Sequence, residues 1–323
     1  MNQLSESLFN IVKKFTCCAF LIFSTCTLFA FNQPPLNHSI TTFLDGGAPL
    51  GFYYMNYSIF SQGRNAVDKD GKTIPGDARV NALALSHQFY YFSPVKFLGG
   101  NLSLDVILNV SAVTAKGAIA TPFGPAPMGA NTAGLSDIIV GPSIIWNDGK
   151  LFGGPVFQRF ELQTTLPTGK YDKGSPINPG SNLTTFDPYY SVVWMFAPKW
   201  ETSWRFYYAV HSENDEVTLL GPVGPFQAKV KPGQLFHLNY AFSREILPFL
   251  RLGVAGYYLQ QLTEDRIDGI KQTDTKEKAF AAGPGLVLFN RGGTMFALSH
   301  PVEFGVRNRF KGSRTTLQII NKF

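Results

Sequence analysis

The chain contains little charge. Asp, Glu, Lys and Arg together make up 15% of its 323 residues, whereas soluble domains average about 25%. The formal net charge of +6 is spread along the chain without basic runs, so nucleic-acid binding is not expected. After residue 30 no run of 18 apolar residues occurs, which argues against a helical membrane protein. Because hydrophobic residues nevertheless amount to 45% and aromatic residues to 14%, the composition indicates an all-β protein with an unusually apolar surface.

Cysteine is equally scarce, and the three cysteines all lie within residues 1–30. In the same segment Lys13 and Lys14 precede an apolar run that begins at Phe15, which is the pattern of a secretory signal peptide. The exported chain would then contain no cysteine. Its stability would depend on its core and on hydrogen bonds between strands rather than on disulfides.

Alternation of apolar and polar residues predicts strands throughout the remaining sequence. Within 101–111, for example, Leu102 and Leu104 alternate with Ser103 and Asp105, as in a strand with one buried face. The same period of two recurs in twelve segments, which are 51–62, 79–92, 99–115, 134–148, 151–166, 182–197, 199–211, 231–246, 249–263, 279–290, 293–308 and 313–323.

The connections between these segments alternate in length. Five long connections, over 63–78, 116–133, 167–181, 212–230 and 264–278, are separated by tight turns rich in Gly, Pro, Asn and Asp, such as the turn predicted at 147–150. Bacterial outer-membrane barrels have short periplasmic turns, long external loops and an even number of strands. The pattern therefore predicts a transmembrane antiparallel up-and-down β-barrel of about twelve strands, with both termini in the periplasm.

The two faces of the predicted strands differ in chemistry. One face carries large aromatic and aliphatic side chains, while the other holds ionisable groups on most strands. So many charges would be costly to bury in a dry core, but a membrane barrel turns its apolar face to lipid and keeps its lumen polar. The predicted lumen-lining residues are Asp105, Asp137, Arg159, Glu161, Asp187, Glu201, Arg205, Arg251, Glu303 and Arg307.

These patterns divide the chain into a signal peptide over residues 1–30, an N-terminal periplasmic segment over 31–50 and a transmembrane barrel over 51–323. The expected location is the bacterial outer membrane, where the barrel would contact lipid and lipopolysaccharide. Phe323 closes an alternating last strand and shares a face with Leu317 and Ile319. A terminal aromatic of this kind resembles the signal that is read by the barrel assembly machinery.

Several short motifs occur in a characteristic order. They are Gly134–Asp137, Gly141-Pro142, Leu166–Tyr171, Asn178–Asn182, Asp187–Tyr189, Gly256–Thr263, Asp265, Asp268-Gly269, Gly283-Pro284 and Glu303–Asn308. By these motifs, residues 45–323 resemble the outer-membrane transporter family named after the meta-cleavage pathway of phenol degradation. The resemblance implies an outer-membrane β-barrel that passes aromatic or apolar compounds and has no catalytic site. Leu183 departs from the family pattern, which tends to carry an aromatic residue after Asn182.

Two of the long connections are apolar, although exposed loops are usually polar. Residues 116–133 contain one charge, and residues 219–226 contain none. Such loops indicate either an interaction surface or a segment folded into the lumen, and packing among neighbouring loops is the alternative. The candidate contacts for an apolar solute are Phe123, Met128, Leu219, Leu220 and Phe226.

The sequence gives little support to catalysis or metal binding. A barrel phospholipase needs a serine and a histidine close together, but Ser86 and His87, like Ser299 and His300, are neighbours in sequence, so they point to opposite faces of a strand. The acidic segment His211–Glu216 could bind Ca²⁺, yet its spacing matches no defined calcium loop, so a solvated loop end is favoured.

The sequence therefore predicts a passive outer-membrane channel or facilitated transporter for small aromatic or apolar compounds. It predicts no cofactor and no metal. The alternatives are a structural or adhesive surface protein and, less favoured, a barrel enzyme of the phospholipase type.

Overall fold

A computed structural model describes residues 36–40, 43–121, 124–175, 177–221 and 224–323, so the predicted signal peptide lies outside the described residues. The strands are β1 (Gly51–Val67), β2 (Arg79–Phe97), β3 (Gly100–Lys116), β4 (Ala118–Thr121), β5 (Gly124–Pro127), β6 (Ala130–Leu135), β7 (Ile138–Leu151), β8 (Gly154–Glu161), β9 (Thr164–Leu166), β10 (Thr185–Phe186), β11 (Tyr189–Ala197), β12 (Trp200–His211), β13 (Asn214–Gly221), β14 (Gly224–Lys231), β15 (Leu235–Leu247), β16 (Leu250–Gln261), β17 (Arg266–Ile267), β18 (Ile270–Lys271), β19 (Lys278–Phe289), β20 (Met295–Ser299), β21 (Val302–Arg307) and β22 (Arg309–Lys322). Within the described ranges no helix is long and apolar enough to cross a membrane.

The strands form a closed antiparallel ring of twelve. The ring order is β1-β2-β3-β7-β8-β11-β12-β15-β16-β19-β20-β22, and the pairing of β22 with β1 closes it. Short breaks in four of these wall strands separate β6 from β7, β9 from β8, β10 from β11 and β21 from β20. The predicted twelve-stranded barrel is confirmed. A closed ring leaves no unpaired sheet edge within a membrane.

The short turns between consecutive wall strands lie at one end of the ring. The β2–β3 turn consists of Leu98 and Gly99, with φ of 48° and 78°, and the β7–β8 turn consists of Phe152 and Gly153, with φ of 49° and 83°. Positive φ at both positions is the signature of the type I′ turns that suit the twist of paired strands. The prediction of a turn at 147–150 is wrong. β7 continues through these residues to Leu151, with a register shift between Trp146 and Gly149.

The long connections at the other end have secondary structure of their own. β4 and β5 form a hairpin within 116–133. β13, β14, β17 and β18 form a four-stranded sheet, called here the outer sheet, from two separate connections. The outer sheet buries Val217, Leu219, Ala228, Val230 and Ile267 as a small core.

Side chains alternate between the outside and the inside of the ring as the sequence predicted. Leu104 on β3 is 50% exposed, whereas the next residue, Asp105, is fully buried. Near the short turns, the outward ring of Trp194 lies 5.9 Å from that of Phe152 and 5.7 Å from that of Phe196. An apolar outer band with aromatic residues near its border is typical of a transmembrane barrel.

Residues 36–40 and 43–50, called here the internal segment, lie inside the ring. The backbone N–H of Ser39 donates to Asn239 Oδ1 at 2.8 Å, and Phe43 packs in a cluster with Ala241 on β15. At the other end, Asn147 Nδ2 donates to the carbonyl of Ala48 at 2.8 Å. The predicted periplasmic segment over 31–50 instead fills part of the lumen over its described residues.

A candidate substrate chamber inside the barrel

Two arginines of the wall bind one carboxylate of the internal segment. Arg205 on β12 forms an ion pair with Asp45, and Arg159 Nη2 on β8 lies 3.4 Å from the same carboxylate oxygen. Arg159 also donates to the backbone carbonyl of Asp45 at 3.1 Å. The Arg205 guanidinium lies 4.2 Å from the ring centre of Tyr189, a cation–π contact. These contacts fix the internal segment to the β8–β12 side of the ring.

Two further carboxylates lie beside this pair. Glu161 Oε2 accepts hydrogen bonds from the hydroxyls of Tyr90 at 2.7 Å and Tyr189 at 2.5 Å. A Cβ atom on Gly141 would collide with the carboxylate oxygens of both Glu161 and Asp105. Gly141 therefore makes the space in which these two acids are held. Glu161 and its tyrosine partners therefore form a compact buried network in this part of the interior.

Asp137 anchors a loop. It lies in the break between β6 and β7, and its Oδ1 accepts a hydrogen bond from the backbone N–H of Gly169 at 2.8 Å. Its Oδ2 accepts from the N–H of Ser181 at 2.8 Å and from the Ser181 hydroxyl at 2.6 Å. These bonds draw residues 177–181 over the lumen.

Glu201 and Arg251 belong to a second buried network near the short turns. Glu201 accepts hydrogen bonds from Ser243 Oγ at 2.7 Å and Ser203 Oγ at 2.9 Å. Arg251 Nε in turn donates to Ser243 Oγ at 2.9 Å. Because these groups bond mainly to one another, they stabilise the wall and leave few polar atoms for a solute.

Glu303 is buried and accepts a hydrogen bond from the Tyr257 hydroxyl, whereas Arg307 is exposed. The predicted lumen position of Arg307 assumed unbroken alternation along β21. Gly305 has φ of 61°, so it reverses the alternation, and Val306 instead points inward at 4% exposure. Gly305 could have indicated this interruption from the sequence, since a glycine in the left-handed conformation breaks the alternation of a strand.

Asp187 lies in the break between β10 and β11 and contacts a histidine. Its Oδ2 is 3.1 Å from His237 Nε2 on β15. The ring of His38 in the internal segment lies edge-on to that of His237, 5.0 Å between centres, and stacks on Tyr257 at 5.2 Å. The internal segment is therefore held by aromatic contacts as well as by the Asp45 ion pairs.

A cavity of about 510 Å³ remains between the internal segment and the loops at the long-connection end. One wall comes from β1, β2 and β3 and combines aliphatic side chains with polar ones such as Ser86, Gln88 and Asn109. Its apolar members are Ile59, Val80, Ala82, Ala84, Ile107 and Val113. Charged groups of the lining are Arg309 and Arg314 on β22, which pairs with β1, together with Arg205 and Glu277. The cavity thus presents an apolar surface and ionic groups to the same solute.

The cavity lining includes charged groups that are not among the sequence-predicted site residues. Arg309 Nη1 lies 3.3 Å from Glu277 Oε2. Burial raises the pKa of Glu277, which precedes β19, to about 7. Arg314 Nε donates to Ser61 Oγ at 3.0 Å. Arg314 could have been found from sequence, because it alternates with Thr315 and Leu317 along the last predicted strand.

Of the five predicted loop contacts, Met128 lines the cavity. It packs against Ile119, which is 1% exposed, so the 116–133 connection is folded against the ring. Leu219 is instead buried in the core of the outer sheet, with Phe226 packed beside it. Phe123 and the side chain of Leu220 lie outside the described part of the chain.

The acidic segment His211–Glu216 does not converge on one point. His211 is buried with Nδ1 2.9 Å from Thr185 Oγ1, while Glu213, Asp215 and Glu216 are exposed. The residues described here contain no group of three or more His, Cys, Asp or Glu side chains arranged to hold a metal ion.

The two serine–histidine neighbours are split between the faces of the wall. Ser86 is buried inside, whereas the ring of His87 bonds at Nδ1 to the Tyr54 hydroxyl at 2.6 Å on the outer side. Ser299 is likewise buried, and His300 is exposed. Neither pair can act as a nucleophile and its base.

Comparison with known proteins agrees with this architecture. The family model described as "Putative MetA-pathway of phenol degradation" matches residues 29–319. The COG4313 outer membrane channel from Pseudomonas putida F1 aligns with 90% of this chain and 100% of its own, at 15% identity and a TM-score of 0.70. The translocator domain of the autotransporter NalP from Neisseria meningitidis aligns with 85% of this chain and 90% of its own, at 10% identity and a TM-score of 0.44. No curated protein matches the chain.

Proposed function

The chain belongs to the phenol-degradation family matched over residues 29–319, and from this premise we propose that its outer-membrane barrel is a channel for small aromatic compounds. The observation that supports this proposal is the cavity of about 510 Å³, whose lining combines aliphatic side chains with a few charged groups. Small-molecule sites have volumes of about 300–1,000 Å³ and combine apolar walls with a few polar groups. A phenol can place its ring on the β1–β3 wall and its hydroxyl toward Arg314 or Glu277.

The geometry also supports a narrow passage. The internal segment contacts Arg205 on β12 and Asn239 on β15. Its carbonyl groups also accept hydrogen bonds from Arg314 and Thr316 on β22, and Ile40 packs against β1. The cavity that remains beside it is lined in part by β1, β2 and β3. A solute contacts the aliphatic side chains of these strands, where burial of its apolar surface contributes about 25 cal/mol per Å². The proposed function requires no cofactor and no catalytic step.

Binding of 4-fluorophenol to the detergent-solubilised chain, followed by fluorine NMR, tests this proposal. Ala84→Phe adds a ring to the cavity wall and should abolish binding of the phenol. In planar bilayers, the phenol should reduce the ion current through the unmodified chain but not through this variant. The matched control is Ala112→Phe on β3, because Ala112 is exposed on the outer face. Equal binding by both variants and the unmodified chain would contradict the proposed site.

We propose two further partners for the barrel. Lipopolysaccharide is the outer-leaflet lipid around it, and the assembly machinery recognises Phe323. The support for the second is that Phe323 is 76% exposed, with its ring 5.9 Å from Phe52 at the short-turn end. Phe323→Ala should lower the amount of heat-modifiable barrel in outer membranes, while Phe152→Ala, also exposed at a turn, should not.

A further inference from the structure

His38 of the internal segment is enclosed by the barrel wall toward the long-connection end. The residue is 5% exposed. Its ring lies edge-on to that of His237 on β15, with 5.0 Å between ring centres, and stacks on Tyr257 of β16 at 5.2 Å. Its backbone carbonyl accepts a hydrogen bond from Arg314 on β22. Because three wall strands contact this one residue, His38 is a main attachment point of residues 36–40.

One nitrogen of the His38 ring has no partner. Nε2 is buried, and in the described part of the chain it forms no hydrogen bond. None of the ion pairs among these residues includes His38. A protonated imidazole carries an N–H on both nitrogens. Protonation of the attached ring would therefore bury a charged donor without an acceptor, which is costly.

The charged groups around His38 are engaged with one another. Asp187 contacts His237 at 3.1 Å, and Arg309 forms ion pairs with both Glu277 and Glu303 at 3.3 Å. Each of these carboxylates therefore already has a histidine or an arginine beside it. The titratable and charged groups that face His38, directly or through these neighbours, are His237, Tyr257, Arg314, Arg309, Glu303, Glu277, Asp187, Tyr207 and His211.

Attachment of the internal segment and protonation of His38 oppose each other. Burial, followed by the charges of His237, Arg309 and Arg314, lowers the pKa of His38 well below its ordinary value of 6.5. When residues 36–40 leave the wall, the ring returns to water and regains that ordinary value. The released state therefore binds a proton more readily than the attached state. Attachment is strongest above pH 6.5, and below it weakens by about tenfold for each pH unit until the attached ring is itself protonated.

We propose that protonation of His38 releases residues 36–40 from the barrel wall and so widens the passage when the surroundings become acidic. Leu36, Ile40 and His38 itself line the cavity of about 510 Å³, so their displacement enlarges it directly. Asp45 keeps its contacts with the two wall arginines, so the remainder of the internal segment stays in place. This inference goes beyond the proposed function, because it concerns the position of the segment and not the solute.

The reaction rate of a thiol placed at Ser39 measures the release. Ser39 is buried and its Oγ has no hydrogen-bond partner among the described residues, so Ser39→Cys is a mild change. The detergent-solubilised, exported chain is treated with dithiodipyridine, and the rate is divided by that of Ser212→Cys, whose position is exposed. This ratio should rise about 20-fold between pH 7 and pH 5. Single-channel conductance in planar bilayers should increase over the same range.

Replacement of His38 should remove this response. His38→Phe keeps a ring against Tyr257 but cannot be protonated, so its thiol rate and conductance should be the same at pH 5 and pH 7. His38→Gln, a second variant that cannot be protonated, should also show no difference between the two pH values. His300→Phe is the matched control, because His300 is exposed, and it should keep the full response to acid. Glu277→Gln should keep it as well, which separates release of the segment from a change in ion selectivity.

Two results would overturn the proposal. One is an unchanged thiol-rate ratio between pH 7 and pH 5 in the chain that retains His38. The other is a full acid response in His38→Phe and His38→Gln, since a different group would then control the segment. Loss of phenol binding at pH 7 with an intact acid response would contradict only the proposed function.

Discussion

Arg205 on β12 forms an ion pair with Asp45, a residue 160 positions earlier in the chain. The pair joins the barrel wall to the internal segment, and Arg159 approaches the same carboxylate from β8. Two buried guanidinium groups thus share Asp45 as their directly ion-paired acid, and Glu161 and Asp105 lie nearby. Removal of one partner from a buried ion pair is strongly destabilising, because the remaining charge has no compensation. The position of the internal segment is therefore coupled to the charge of Asp45.

We expect Asp45→Asn to loosen the internal segment and to raise single-channel conductance in planar bilayers. The substitution keeps the shape of the side chain but removes the charge that Arg159 and Arg205 bind, so the segment loses its main electrostatic attachment. Asp148→Asn is the matched control, because Asp148 is exposed near the short-turn end. Unchanged conductance in Asp45→Asn would mean that the ring contacts of His38 and the apolar packing of Phe43 suffice to hold the segment.

Gly141→Ala should destabilise the barrel. A Cβ atom at this position would collide with Asp105 and Glu161, and overpacking of this kind costs about 1–3 kcal/mol. The free energy of unfolding, measured with urea in lipid vesicles, should fall by that amount. Gly129→Ala provides the control, because a Cβ there meets no atom within 4 Å. Equal stability of the two variants would show that the carboxylates can move apart without loss.

The sequence predicted the wall well because strand alternation is a local property. Leu102 and Leu104 are apolar and face outward, so Ser103 and Asp105, which alternate with them, must face inward. This assignment uses only residues that are neighbours in sequence. Alternation failed at Arg307, where Gly305 reverses the faces of β21. It could not reveal the role of Asp45 at all. The internal segment has no periodic pattern, and its position depends on side chains such as Arg205 that come far later in the chain.

Leu104→Arg should cost about 2–4 kcal/mol of stability in a bilayer, because a charge on the lipid face near the midplane loses its hydration. Leu104 is 50% exposed on the outer side of β3. The control is Leu98→Arg in the β2–β3 turn, where Leu98 is 72% exposed at the edge of the barrel and the cost should be about 0–1 kcal/mol. Similar free energies of unfolding for the two variants would place β3 outside the membrane.

The ion selectivity of the channel should depend on pH near neutrality through Glu277. Burial raises the pKa of this carboxyl to about 7, so its ionised fraction increases as the pH rises from about 6 to about 8. Glu277 lines the cavity beside Arg309 and Arg314. When it is protonated, these arginines are less compensated and favour anions. When it is ionised, it offsets their charge and favours cations.

The permeability ratio of potassium to chloride, taken from reversal potentials in a salt gradient, should therefore increase between pH 6 and pH 8. Glu277→Gln should remove most of this increase and hold the ratio near its low-pH value, because the amide stays neutral throughout. Glu213→Gln is the matched control, since Glu213 is exposed on the loop after β12, and it should retain the full pH response. If Glu277→Gln also retained the pH response of the permeability ratio, a different group along the passage would be titrating. Glu277 would then remain in one protonation state between pH 6 and pH 8.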